Sequence, residues 1–262
     1  MPNKNIKPLQ DSATKSQKSK HRIAEILSFL DSLSPFELQE SWDNSGLILG
    51  SPNQEFDKVY LSLEVTCEVL EQMDKDSLLI THHPLIFSPL KTLVFDHYPA
   101  KLLQLAIHKN IQLIAMHTNF DKTHFGKYIV QEILKISEFE QKDFVVYLKW
   151  HDTLESLCKL LKEKFALSWL KITKSSNPHC QNIALVTGSG GGFVRSLEAI
   201  DCLITGDIKY HEAMEAKARN LHLIDCGHYE LESYFGEILL PFLTNQGYKA
   251  IILDSQNPFN FV

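Results

Sequence analysis

A chain of 262 residues with 44% apolar side chains is long enough to bury a sizeable core, as one large domain or two smaller ones. Its formal net charge of −6 argues against a nucleic-acid binder held mainly by phosphate contacts, and no apolar run approaches the roughly 20 residues that span a bilayer. The five cysteines are scattered with no CxxC pair, and the N-terminus lacks the apolar core of a secretory signal, so reduced thiols and a cytoplasmic location are expected.

Residues 1–20 are rich in Lys, Ser, Asn and Gln without apolar periodicity, and are expected to form a disordered tail. Ile23, Ile26, Leu27 and Leu30 stand at helical spacing. Ser34-Pro35 then opens a second short helix, with Ser34 as its cap, and Trp42-Asp43-Asn44-Ser45-Gly46 reads as the turn after it. Strands are expected over 59–65, 78–81, 111–116, 183–187, 202–205, 221–225 and 250–253. Most are near-continuous apolar runs, the pattern of strands covered on both faces. Helical patterns fall between them, over 66–73, 99–109, 125–136, 153–165, 211–219 and 232–245. The alternation predicts an α/β fold of two lobes with largely parallel sheets. Residues 21–130 with 221–262 are assigned to one lobe and 131–220 to the other.

The segments just after the strands carry the chemistry. Strand 78–81 runs into His82-His83-Pro84, strand 111–116 into His117-Thr118-Asn119-Phe120-Asp121, and strand 202–205 into Gly206-Asp207-Ile208-Lys209-Tyr210-His211. Strand 221–225 leads to His228, with Glu232 four residues on, one face of a helix apart. Ligands of open α/β sheets bind outside the carboxyl ends of strands, so His82, His83, His117, Asp121, His228 and Glu232 form a candidate metal site there. Mixed imidazole and carboxylate donors suit zinc, iron or manganese, and suit calcium or magnesium less well. Isolated histidines (His21, His97, His108, His151, His179 and His222) are read as surface or satisfied core residues.

These motifs, with Trp42-Asp43-Asn44-Ser45-Gly46-Leu47 before them and Gly188-Ser189-Gly190-Gly191-Gly192-Phe193 among them, resemble in order the GTP cyclohydrolase 1 type 2 homologue family, also called the NIF-three-like family. The resemblance runs from about residue 22 onward. It implies a two-lobed protomer with a dinuclear metal site, assembled as a ring-like homohexamer. By the resemblance the five ligands are His82, His83, Asp121, His228 and Glu232, with Glu232 as bridge; His117 is a ligand or lies beside them. Tyr229-Glu230-Leu231 depart from the small residues that the family tends to place before the Glu.

The glycine run reads either as an anion cradle or as a tight strand–helix turn; it is neither a dinucleotide fingerprint nor a P-loop. Asp207, Lys209 and His211 fit a shell that orients ligands or handles protons, with Lys209 or Arg195 facing a phosphate. The function expected is hydrolysis by water activated on two divalent ions, with GTP as candidate substrate: water adds at guanine C8, the imidazole ring opens and formate leaves. His117 or His211 would shuttle protons. A metal-dependent phosphoester hydrolase and a non-enzymatic metal-binding or regulatory scaffold are the alternatives.

Overall fold

The computed structural model describes residues 21–177 and 180–260, so the tail expected over 1–20 and His179 lie outside the described residues. Two sheets dominate. The first has five strands in the order Ala250–Ile252, Val59–Ser62, Leu78–Thr81, Gln112–Ala115 and Gly46–Leu49. Its first four strands are parallel and Gly46–Leu49 joins antiparallel at the edge.

Its inner strands are buried throughout and mostly apolar because both faces are covered. Val59, Leu61, Leu78 and Ile80 pack in one cluster with Ile23, Ile26 and Leu30 of helix Ile23–Leu33 and with Phe235, Ile238 and Leu239 of helix Phe235–Asn245. The alternate residues Tyr60, Leu79 and Leu113 pack on the other side with Val69, Leu70, Leu102 and Leu103, from helices Cys67–Gln72 and Ala100–His108. Side chains alternate along a strand with a period of two, so one run feeds two cores.

The second sheet has six strands in the order Phe139–Lys142, Val145–Lys149, Asn182–Leu185, Cys202–Thr205, His222–Asp225 and Lys171–Thr173. It corrects two expectations. Only the two pairings on either side of Cys202–Thr205 are parallel; the other three are antiparallel, so this sheet is mixed and "largely parallel" describes the first sheet alone. Strand His222–Asp225, assigned by sequence to the metal-site lobe, belongs to this second sheet, with Leu223 opposite Leu203 and Ile224 opposite Ile204. Its apolar run fits either sheet, and only the pairing partner decides.

Helix starts obey local chemistry. The Thr66 hydroxyl accepts from the Val69 amide and the Thr153 hydroxyl from the Ser156 amide, capping helices Cys67–Gln72 and Leu154–Lys164 as the sequence suggests. Ser34 does not cap. Its buried hydroxyl is 2.8 Å from that of Thr123 and accepts from the Asn119 side-chain amide at 3.1 Å. The helix expected to begin at Phe125 begins two turns earlier, at Thr118, and carries π-helical turns at Asp121–Phe125 and Ile129–Ile133. It crosses from the core holding Phe120 and Phe125 to the one holding Ile129 and Val130, tying the two sheets together. Among the described residues no helix is long and apolar enough to cross a membrane.

Candidate metal centre

The two sheets deliver their strand ends to one place. From the first come His82 and His83, just after strand Leu78–Thr81, and His117 and Asp121, after strand Gln112–Ala115. From the second come Thr187, Gly188 and Asp207, then His228 and Glu232 on the helical turns beyond strand His222–Asp225. The five expected ligands and His117 therefore gather from both sheets.

Four imidazoles share one arrangement. His82 Nδ1 donates to the Met116 carbonyl at 2.7 Å, and His83 Nδ1 to Glu64 Oε1 at 2.5 Å. His117 Nδ1 donates to Asp43 Oδ1 at 2.6 Å, and His228 Nδ1 to Asp207 Oδ2 at 2.6 Å. Carbonyls and carboxylates only accept, so each ring carries its proton on Nδ1 and, when neutral, a lone pair on Nε2. Acceptors behind the rings fix ligating histidines in this way in metal sites generally.

The free ring atoms of His82, His83 and His228 converge on Glu232, which is 3% exposed. Its Oε2 lies 2.9 Å from His228 Nε2 and 3.1 Å from His83 Nε2, while its Oε1 lies 3.8 Å from His82 Nε2. Asp121 Oδ1 is 3.7 Å from that same His82 atom and accepts from the Thr187 hydroxyl at 3.3 Å. Three groupings bring their donor atoms within 4.8 Å of one another: His83, His228 and Glu232; His82, Asp121 and Glu232; and His82, His83 and His117. The first two share Glu232.

The donor set fits metal ions. His82 Nε2 and Glu232 Oε2 are buried with no hydrogen-bond partner, and lone pairs facing carboxylate oxygens need a proton or a cation between them. In the protein alone, protons fill the role. Burial alone would push the His83 and His228 imidazoles down, but the Glu232 carboxylate, with Glu64 and Asp207 behind, overrides it and raises them to about 10 and about 9. Burial, then the nearby Glu232 charge, raises Asp121 to about 7. His82 is pushed down by complete burial, so it stays a neutral donor. Burial works against Glu232 as well, and the charged imidazole of His228 leads in overcoming it to hold that carboxyl well below its ordinary range.

A cavity of about 720 Å³ opens over the cluster, lined by His83, His117, Asp121, His228 and Glu232 among others. A smaller one of about 380 Å³ also reaches His83 and His228, from the side of Trp169 and Lys171.

His211 does not join the site. It is exposed on helix Tyr210–Ala218, its ring packs against Tyr210, and it lines neither cavity. Lys209 and Arg195 are exposed too and line neither; the Lys209 amide instead donates to Glu212 Oε2 at 2.8 Å at the helix start. The glycine run behaves as a turn: the Gly190 amide donates to the Thr205 hydroxyl at 2.8 Å, and Gly191–Arg195 is a short 3-10 helix. Gly188 has a different necessity. Its φ is +59°, and a Cβ there would stand 2.1 Å from Glu232 Oε1.

Asp207 meets expectation by holding His228. Asp43, read from sequence as a turn residue with pocket contact as the alternative, reaches the site, whereas Glu64 reads only as the end of a strand. The buried Asp43 carboxylate also accepts from the Thr118 amide at 3.0 Å and from the Thr118 hydroxyl. Alone in being buried among the isolated histidines within the described residues, His222 is a satisfied core residue: its Nδ1 accepts from the Ser175 amide at 3.1 Å and its Nε2 donates to the Asn177 carbonyl at 2.9 Å.

Comparison with known proteins places this geometry. The model of the Duf34/NIF3 (NGG1p interacting factor 3) family matches residues 21–258. A Campylobacter jejuni protein named GTP cyclohydrolase 1 type 2 homolog is 42% identical over 92% of this chain and 99% of its own length. A Helicobacter pylori protein named GTP cyclohydrolase 1 type 2 is likewise 42% identical, over 92% of this chain and 99% of its own. Among solved structures, a Staphylococcus aureus hypothetical protein superposes with a TM-score of 0.80 at 24% identity, covering 92% of this chain and 99% of that one. A match spanning nearly the whole described chain, with relatives at this identity, makes the chain a member of the Duf34/NIF3 family.

Proposed function

We propose that the chain is a hydrolase that works with two divalent metal ions of the zinc, iron or manganese class, and that it opens the imidazole ring of a guanine nucleotide and releases formate. The observation that carries this reading is the convergence of four imidazoles, each tied down at Nδ1, with a shared buried carboxylate beneath an open cavity. His83, His228 and Glu232 would hold one ion, and His82, Asp121 and Glu232 the other. Bound there, the ions would supply a nucleophilic water at neutral pH and polarise the atom it attacks.

The chain's own residues do the rest. With its Nδ1 proton donated to Asp43, His117 presents Nε2 as a proton acceptor, and its ring centre lies 5.1 Å from that of His82 and 5.4 Å from that of His83. In this reading it takes a proton from the attacking water and returns it to the ring nitrogen released from C8, which leaves a formamide; a second water, activated in the same way, cleaves the remaining C8–N bond and releases formate. Asp207 and Glu64 hold His228 and His83 in register. The relatives' names, GTP cyclohydrolase 1 type 2 and its homolog, supply the choice of guanine C8.

The ring-like homohexamer that the resemblance implies is part of this reading. The run of exposed apolar side chains at Leu90, Leu93, Val94 and Phe95 supports it, as a surface in need of cover, and sedimentation at micromolar concentration tests it. For the activity, metal-loaded protein is incubated with GTP and with p-nitrophenyl phosphate while formate and phosphate are monitored. Formate from GTP, lost in Glu232→Gln, is the expected result. Phosphate without formate identifies a phosphoester hydrolase, and neither product with metal bound identifies a metal-binding scaffold.

A further inference from the structure

The walls of the large cavity carry a chemistry of their own. Trp42 and Phe87 line it, 57% and 49% exposed, with ring centres 5.8 Å apart. Both lie close to the cluster: His117 is 6.3 Å from the Trp42 ring and 6.0 Å from the Phe87 ring. From the second sheet's side, Phe144 and Phe193 line the same cavity with ring centres 6.1 Å apart. Two aromatic pairs thus face one space that ends at the candidate metal centre. Exposing this much aromatic surface costs free energy unless a ligand covers it.

Apart from the imidazoles of the candidate metal centre, the charge of the same walls is one-sided. Glu40, Glu64 and Asp143 line the cavity besides the two candidate carboxylate ligands, and among the described residues no lysine or arginine lines it. Lys122, beside these walls, is already engaged: its Nζ lies 2.7 Å from Glu40 Oε1 and 3.4 Å from Asp143 Oδ1, with the Phe144 ring 4.8 Å away. Proteins that hold polyphosphates do so with basic side chains and free amide groups. Here the basic residues expected for that task, Lys209 and Arg195, lie outside the cavity, and the Gly190 amide is occupied.

Resting on the hydrolase reading above for the identity of the ring, we infer that this cavity is built for a flat, uncharged heteroaromatic base or nucleoside. It grips the base through Trp42 and Phe87 and selects against a polyphosphate tail through Glu40 and Asp143. The purine nucleoside or free base is then the better-bound form of the guanine substrate, and the triphosphate of the reading above is turned over but held more weakly.

Equilibrium binding tests this without turnover. The full-length protein as purified, with its own metal content, is titrated with guanosine and with GTP. Guanosine is expected to bind at least tenfold more tightly. Trp42→Leu and Phe87→Leu, each checked by circular dichroism and metal analysis, are expected to weaken guanosine about tenfold, the scale of one lost base–aromatic stack. Glu40→Gln with Asp143→Asn frees Lys122 and removes two charges, so GTP should gain about tenfold or more while guanosine changes little. GTP binding as tightly as guanosine overturns the inference. So does guanosine binding unaffected in both folded leucine variants, a GTP-to-guanosine ratio unmoved by the double substitution, or no guanosine binding up to millimolar concentration. Absence of formate release with these binding results intact counts against the hydrolase reading alone.

Discussion

Asp43 Oδ1 lies 2.6 Å from His117 Nδ1 across 74 residues of sequence, and the other oxygen of the same carboxylate accepts from the amide and hydroxyl of Thr118. One buried carboxylate thus orients the imidazole and pins the start of the helix that carries Asp121. Asp43→Ala leaves those donors without their acceptor. The expected result is a 10- to 100-fold loss of metal affinity or turnover, with a destabilisation of about 1–3 kcal/mol. Isothermal titration with zinc and a thermal melt read the two effects. Asp43→Asn, which keeps one acceptor, should fall between.

Gly188 makes a sharper test of the shared carboxylate. A methyl group there meets Glu232 Oε1 at 2.1 Å, and the backbone at +59° already disfavours a side chain. Gly188→Ala should push Glu232 out of place and lower metal affinity at least tenfold. It should also cost about 1–3 kcal/mol of stability. Undiminished metal content in the purified variant would show that Glu232 is not the hub of the site.

Metal binding should release protons. With no metal, His83 holds a proton up to about pH 10, His228 up to about 9 and Asp121 up to about 7. A cation must displace them. Affinity for zinc should therefore climb with pH, more steeply below pH 7, where Asp121 also gives up a proton, than between 7 and 9. Titration calorimetry in buffers of different ionisation enthalpy counts the protons released directly, and a count of zero contradicts the ligand assignment.

His124 sets a separate pH dependence, in stability. Its ring stacks on Phe120 at 4.6 Å and meets the edge of Phe242 at 5.4 Å. Burial, with the Lys127 charge adding to it, lowers the imidazole from 6.5 to about 4. Between those values the unfolded chain takes up a proton that the folded one refuses. Stability is thus fully present above pH 6.5 and is lost as pH falls towards 4. After allowance for the partly exposed ring, the loss is about 2 kcal/mol. His124→Phe keeps the stack and should flatten the acid limb of a denaturation series by that amount relative to the parent chain.

Much of the fold is legible in local chemistry. Helix starts at Cys67 and Leu154 are set by the threonine before each, and the buried strands by runs such as Leu78-Leu79-Ile80. Two of the missed elements have separate causes. Phe139–Lys142 alternates half-buried and exposed residues at a sheet edge, where little apolar area is at stake. The helix from Thr118 lacks an unbroken 3.6-residue period because π-helical turns shift the apolar phase at Asp121 and again at Ile129.

Through strand ends and the four-residue spacing of His228 and Glu232, the sequence by itself determined that imidazoles and carboxylates would collect beyond the carboxyl ends of strands. Motif order determined the family. It could not determine which sheet takes strand His222–Asp225, nor that the site draws on both sheets, nor which carboxylates steady the rings. Asp43 and Glu64 reach His117 and His83 from 74 and 19 residues away. His211 lies close in sequence to Asp207 and yet points into solvent, because Asp207 ends its loop against His228 while the next residues begin a surface helix. Pairing and orientation depend on which surfaces meet, and that is fixed only when the two cores pack around the helix from Thr118.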